Sequence, residues 1–158
     1  MLAVKELGHV GIYCTDVQKS KAFYTDILGL TVTDEDPDGR IIFLSAQPDE
    51  EHHEVALCPG RDVTSGAKVI QQVSFIVEDL ATLKQFYTHL KENEVRIRSV
   101  VTHGIAFAIY FYDPDDNVIE VYAKTPYKVP QPHSEPIDLE LTAEELMAGA
   151  EQLAQPTT

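Results

Sequence analysis

Two stretches of this 158-residue chain carry the same pattern 63 positions apart, counted from His9 to Gln72. In that register Asp16 falls on Asp79, Lys21 on Lys84, Phe23 on Phe86, Tyr24 on Tyr87 and Thr25 on Thr88. A repeat of this period means that one supersecondary unit has been used twice, and every other assignment must respect it.

Each copy has the same grammar. Residues 7–14 and 70–77 are apolar and rich in β-formers, so each reads as a strand. Asp16 and Asp79 then stand where a helix N-cap would accept the free amides of a first turn. Val17, Ala22 or Phe23, Ile27 and Leu28 form one apolar stripe; Leu80, Leu83, Phe86, Tyr87 and Leu90 form the other. Gly29 and Asn93 are expected as left-handed C-caps. Three shorter strands follow in each copy, near 30–35, 41–46 and 53–58 and near 95–101, 105–112 and 118–123. Asp36-Pro37-Asp38-Gly39 and Asp113-Pro114-Asp115-Asp116-Asn117 read as hairpin turns, and Arg61 to Gly66 as the polar connector. A single copy leaves a sheet face bare, so the expectation is one α+β domain: two βαβββ modules, about 5–60 and 67–124, forming a cupped mixed sheet over residues 1–124.

Residues 125–158 differ in kind. Pro126, Pro130, Pro132 and Pro136 rule out regular structure there and predict an extended strap. Thr142 and Glu145 form a capping box that opens a C-terminal helix, whose Leu146, Met147 and Leu153 could dock on the body or on a partner subunit. A homodimer is the expected assembly.

Charge narrows the partners. With 26 acidic against 12 basic residues the net charge is −14, a field that repels nucleic acid and anionic membrane surfaces. Lys5 and Glu6 interrupt the opening segment, and no apolar run approaches the ~20 residues of a membrane span. Cys14 and Cys58, in apolar strand-like runs, read as reduced core residues. A cytoplasmic location is expected.

The repeat singles out four positions. His9 opens the first strand of the first copy, and Gln72 is its equivalent. Glu120 lies within a β-branched strand, an unfavourable place for a carboxylate unless it is paired or coordinated, and Glu54 is taken as its counterpart. A His and a Glu on symmetry-related strands make a natural divalent-metal pair. Taken singly, each also reads as a satisfied strand residue. No phosphate-cradling glycine loop and no nucleophile elbow is present.

The segments around His9-Val10-Gly11 and Asp113-Pro114…Asn117-Val118-Ile119-Glu120 resemble the opening and closing motifs of the vicinal oxygen chelate (glyoxalase/bleomycin resistance/extradiol dioxygenase) superfamily, and the likeness covers residues 5–124. Within it, type I extradiol dioxygenases are most similar: His53 with Ala56-Leu57, His103-Gly104 and Tyr110 match their auxiliary motifs. That resemblance implies a metal-dependent, catechol ring-cleaving dioxygenase-like enzyme. Its metal, Fe(II) by preference with Mn, Ni, Zn or Co as alternatives, would be held by His9, Gln72 and Glu120. His53 would be the acid/base, and His103 and Tyr110 would hydrogen-bond the oxygens of a small aromatic or vicinal-oxygen substrate.

One departure matters. The dioxygenase triad has a second histidine where this chain has Gln72, a weaker neutral donor. Glyoxalase-like members tolerate Gln, and His9, Glu54, Gln72 and Glu120 would fill their quartet for isomerase or lyase chemistry. Neighbouring strand residues face opposite ways, so His53 or Glu54, but not both, is expected beside the metal. A third reading is a metal-free cup that binds planar molecules, lined by Tyr13, Phe75, Phe107 and Tyr122.

Overall fold

The computed structural model describes residues 7–62 and 70–154. Within the connector, residues 63–66 lie outside that set, as do Lys5 and Glu6. The chain divides into two compact units, residues 1–67 and 68–158.

In the first unit, β1 (Val10–Cys14), α1 (Val17–Asp26), β2 (Thr31–Glu35), β3 (Ile42–Ser45) and β4 (Val55–Pro59) follow in order. The sheet order is β1-β4-β3-β2, with β1 and β4 parallel and the hairpin pairs antiparallel. The second unit repeats this with β5 (Val73–Ile76), α2 (Leu80–Glu92), β6 (Ile97–Thr102), β7 (Ala106–Tyr112) and β8 (Val118–Lys124), in the order β5-β8-β7-β6-β9. Both are βαβββ modules, and the fold class is α+β. The parallel pairing sets the last strand of each module beside its first, which brings sequence-distant residues onto one face.

Local chemistry explains the elements. Asp16 accepts from the Lys19 amide and Asp79 from the Thr82 amide, so both N-caps are made as the repeat predicts. Gly39 and Gly29 take positive φ at the turn and at the end of α1. Asn93 does not: its φ is −96°, its side-chain amide donates to the His89 carbonyl, and the left-handed residue is Glu94, one position on. Asp113 accepts from the Asp115 and Asn117 amides and from the Asn117 side chain, closing the last turn.

The stripe of α1 runs Val17, Ser20, Tyr24, Leu28, with Ala22 exposed and Phe23 half-buried. In α2 Leu83 and Leu90 are fully buried, and that helix packs on β7 and β8. One face of the second sheet carries Phe107, Ile109, Phe111, Ile119, Val121 and Ala123, all essentially inaccessible, and is the core of that unit. Cys14 is buried and Cys58 half-buried, both as free thiols.

The strap contains regular structure after all. β9 (Glu135–Pro136) pairs with β6 through Thr102↔Glu135 and Val101↔Pro136. An edge position needs no amide on its outer side and so tolerates proline. Beyond it the capping box forms as expected, with the Thr142 amide 2.8 Å from Glu145 Oε2 and the Glu145 amide 3.2 Å from Thr142 Oγ1. Helix α3 (Ala143–Ala154) buries Leu146 and Ala150. Lys84 donates to the Leu141 carbonyl and Lys91 pairs with Glu140, tying the tail to α2 of its own unit. No helix among the described residues is long and apolar enough to cross a membrane.

The Asp79 cap carries a pH signature. Hydrogen bonds from the Thr82 amide and hydroxyl lower the Asp79 pKa below the ordinary carboxylate value of 3.8. A group depressed on folding contributes stability above its unfolded pKa and loses it as pH falls through the folded value. Asp79→Ala is therefore expected to be less stable than wild type at pH ~6, with the gap closing below pH ~4. Urea unfolding of both proteins across that range checks it, and a gap independent of pH would refute it.

Candidate metal centre

Glu120 is the hub of the second unit. Register pairs it with Ser74 on β5 and with Tyr110 on β7, so the three side chains share a face. Its Oε2 accepts from Gln72 Nε2 at 2.8 Å and from the Ser74 hydroxyl, and its Oε1 accepts from the Tyr110 hydroxyl at 2.5 Å. The residue is only 8% exposed. Among the described residues no lysine, arginine or histidine forms an ion pair with it. A buried carboxylate held by three neutral donors has a satisfied geometry and an uncompensated charge, which is the condition a divalent cation relieves.

The network extends to His103. Its Nε2 lies 3.0 Å from the Tyr110 oxygen and its Nδ1 lies 2.7 Å from the His133 carbonyl. A carbonyl only accepts, so Nδ1 carries hydrogen. In the neutral ring Nε2 is then an acceptor aimed at Tyr110, whose single hydroxyl hydrogen has two destinations, His103 and Glu120. The strap holds this arrangement: Gln131 Nε2 donates to the His103 carbonyl at 2.8 Å, and Thr125 Oγ1 donates to the Gly104 carbonyl at 2.6 Å. Burial, followed by the Glu120 hydrogen bond, raises the Tyr110 pKa well above the ordinary phenol value. Tyr110 therefore stays a hydrogen-bond donor at neutral pH.

In the first unit, His9 directly precedes β1 as Gln72 directly precedes β5, so the two occupy equivalent places. The partner of Glu120 is different. Ser74 pairs with Glu120, and the residue in Ser74's place, Gly11, pairs with Ala56. The register counterpart of Glu120 is thus Ala56. Glu54 falls two residues short because counting along the chain does not follow the ladder.

Neither His53 nor Glu54 lies within β4, so strand alternation does not choose between them. The Glu54 carboxylate accepts from the Ala46 amide at 2.9 Å. His53 stacks against His9, ring centroids 4.4 Å apart, and against Phe43 at 4.9 Å. Phe43 pairs with Ala56 and so stands on the β1–β4 face that carries Gly11. Burial, then the neighbouring His9 and His52, lowers the His53 pKa and favours its neutral ring.

Among the described residues no group of three or more His, Cys, Asp or Glu is placed to hold a metal ion. In the second unit the donors gathered around Glu120 are an amide, two hydroxyls and the carboxylate itself. The aromatic lining expected for a metal-free cup does not share a face: Phe75 and Phe107 stand with Val121 and Ala123, opposite Tyr122. Ser74 escaped the sequence reading, although its i+2 spacing from Gln72 on one strand would have pointed to it.

Comparison with known proteins agrees with this architecture. The sequence profile of the Glyoxalase/Bleomycin resistance protein/Dioxygenase superfamily matches residues 6–121, and the chain belongs to that superfamily. It is 30% identical over 126 residues to biphenyl-2,3-diol 1,2-dioxygenase 3 of Rhodococcus globerulus, covering 77% of this chain and 64% of that enzyme. It is 26% identical over 122 residues to a manganese-dependent 2,3-dihydroxybiphenyl 1,2-dioxygenase of Geobacillus genomosp. 3, covering 75% of this chain and 36% of that one. The chain thus spans less than two thirds of either dioxygenase. A glyoxalase/dioxygenase of Nostoc punctiforme shares the fold, with a TM-score of 0.64 and 22% identity over 79% of this chain and 97% of that one.

Proposed function

We propose that this protein is a metal-dependent, extradiol dioxygenase-like enzyme acting on a small aromatic diol, with Glu120, Gln72 and His9 as metal ligands. The observation that carries the reading is the buried Glu120 carboxylate, which forms no ion pair among the described residues and is linked through Tyr110 to His103. Relatives that bear dioxygenase names support the substrate class, and the Geobacillus protein makes Mn(II) as reasonable a metal as Fe(II).

The bound metal would supply a chelation point for vicinal oxygens and positions left open for a small reactant. The chain's own residues do the rest. Glu120 supplies the anionic ligand. For Gln72 to ligate, its amide must present Oε1, a flip that exchanges its hydrogen bond to Glu120 for a bond to the ion. Tyr110, kept protonated, would turn its single hydroxyl hydrogen from Glu120 to a substrate oxygen, and His103 would hold the phenol in place. His53, with its lowered pKa, takes a proton at the oxygen side.

Gln72→His tests the reading because it restores a stronger neutral donor at a ligand position. The expected result of anaerobic titration is tighter Fe(II) binding, by about tenfold or more, followed by oxygen uptake on a panel of catechols once air is admitted. If the variant neither binds iron more tightly nor consumes oxygen, the dioxygenase reading fails. If Glu54→Ala strips the metal while His53→Ala does not, an isomerase-type quartet takes its place.

A further inference from the structure

Across the second sheet the row that starts at Ser74 and passes through Glu120 and Tyr110 ends on β6 at an irregularity. Ile97 pairs with Phe111 and Ser99 with Tyr110, so β6 spends one extra residue, Arg98, where β7 spends none. A bulge of this kind sets two residues opposite one and re-aims the inserted side chain. Here Ser99 stands opposite Tyr110, and Arg98 is the inserted residue directly before it. The guanidinium is close enough to act on that phenol, opposing the upward push of burial and Glu120.

The bulge, rather than its pairing, sets Arg98 apart, since Lys19, Lys84, Lys124 and Lys128 likewise form no ion pair among the described residues. Lys21, Arg40, Lys91 and Arg96 are matched to Glu35, Asp38, Glu140 and Asp116. Arg98 is exposed and has no ion pair among the described residues, in a chain with 26 acidic side chains. A cation with no ion pair among the described residues, placed by a bulge next to the residue that faces Tyr110, is available to a ligand. Strands lie about 4.8 Å apart, so the Arg98 backbone stands roughly 10 Å from that of Glu120, two strands away.

We infer that Arg98 is a specificity-determining residue that binds an anionic substituent, a carboxylate borne on the ring of the diol, so that the preferred substrates are acidic catechols. This rests on the metal-chelate reading of the Glu120 site and names the substrate class for it. The planar guanidinium takes a carboxylate through two parallel hydrogen bonds, a geometry that lysine does not reproduce. With one end chelated and the other held by Arg98, the ring has a fixed orientation on the sheet face.

The test uses Mn(II)-loaded protein under nitrogen and three probes: catechol, a carboxymethyl catechol, and the methyl ester of that acid. Calorimetry is expected to show the acid binding about tenfold or more tightly than its ester, as suits one charge-assisted contact. Arg98→Gln should erase that preference while leaving ester affinity unchanged. Arg96→Gln, which removes an equal charge from the same strand region, should retain it. Equal affinity for acid and ester in the wild type, or a preference that survives Arg98→Gln, overturns the inference. Oxygen uptake on the same samples after air is admitted separates the two ideas. Preference without uptake leaves Arg98 standing and defeats ring cleavage, uptake without preference does the reverse, and failure of all three probes to bind defeats both.

Discussion

Mn(II) is expected to raise the melting temperature of the wild-type protein and to leave Glu120→Ala and Glu120→Gln where they are. Glu120 is the only anionic group in the proposed ligand set, and a carboxylate-free site retains only neutral donors. Loss of that ligand should weaken metal binding by more than about 100-fold, beyond the usual effect of disturbing an outer-shell partner. A ligand at a hundred times its dissociation constant stabilises the folded state by about 2.7 kcal/mol, so the contrast between the proteins is large. The metal-free comparison has the opposite sense. Glu120 is buried with three neutral donors and no ion pair among the described residues, and Glu120→Gln removes its charge while keeping the side chain's volume. Metal-free Glu120→Gln should thus be at least as stable as metal-free wild type. Thermal melts with and without Mn(II), with metal content measured after desalting, decide the matter. Unchanged metal content in Glu120→Ala would remove the basis of the proposed site.

Gly104→Ala is expected to destabilise the protein by about 2–4 kcal/mol, the sum of left-handed backbone strain and overpacking. Gly104 has φ +73°, and a methyl group built on it would overlap the Cβ and both methyls of Val129 in the strap. The loss should divide into two parts. Adding Val129→Ala relieves the overlap and recovers some stability, whereas the backbone strain remains. Gly149→Ala is the control of opposite sign: it lies in α3 with open space around its Cα and an ordinary φ, so the same substitution should stabilise by about 0.5–1 kcal/mol. Chemical denaturation of the four proteins measures all of this. A Gly104→Ala protein as stable as wild type would mean that the strap does not press on this turn.

How much of this fold and site is legible in the sequence follows from how local each cause is. The caps at Asp16 and Asp79 depend on one side chain and the next three amides, and the turn at Asp113 on five consecutive residues, so short patterns reveal them. Glu120 was legible for a different reason: a carboxylate among β-branched residues is costly unless it is used. The misses around the site come from pairing between strands. Glu54 was matched to Glu120 by counting, but the ladder pairs Glu120's place with Ala56. Arg98 reads as an unremarkable strand residue, because a bulge is a property of two strands and no single stretch announces it. The short strand at Glu135 was hidden by its prolines, whose meaning depends on lying at an edge. His53 and Glu54 were weighed as strand neighbours facing opposite ways, and both turned out to precede the strand.

The hold of the strap on His103 has a further consequence. What His133 offers the ring is a main-chain oxygen, which every amino acid carries. Substitution at position 133 leaves that oxygen in place, so the contact places no demand on residue identity. The demand falls on the path of the chain: the tail must return to β6 with enough length to lay its backbone across the His103 turn. Such a constraint tolerates drift at position 133 and resists changes in the length of the tail. Shortening by a few residues would act on the ring of His103 as directly as replacing a side chain there.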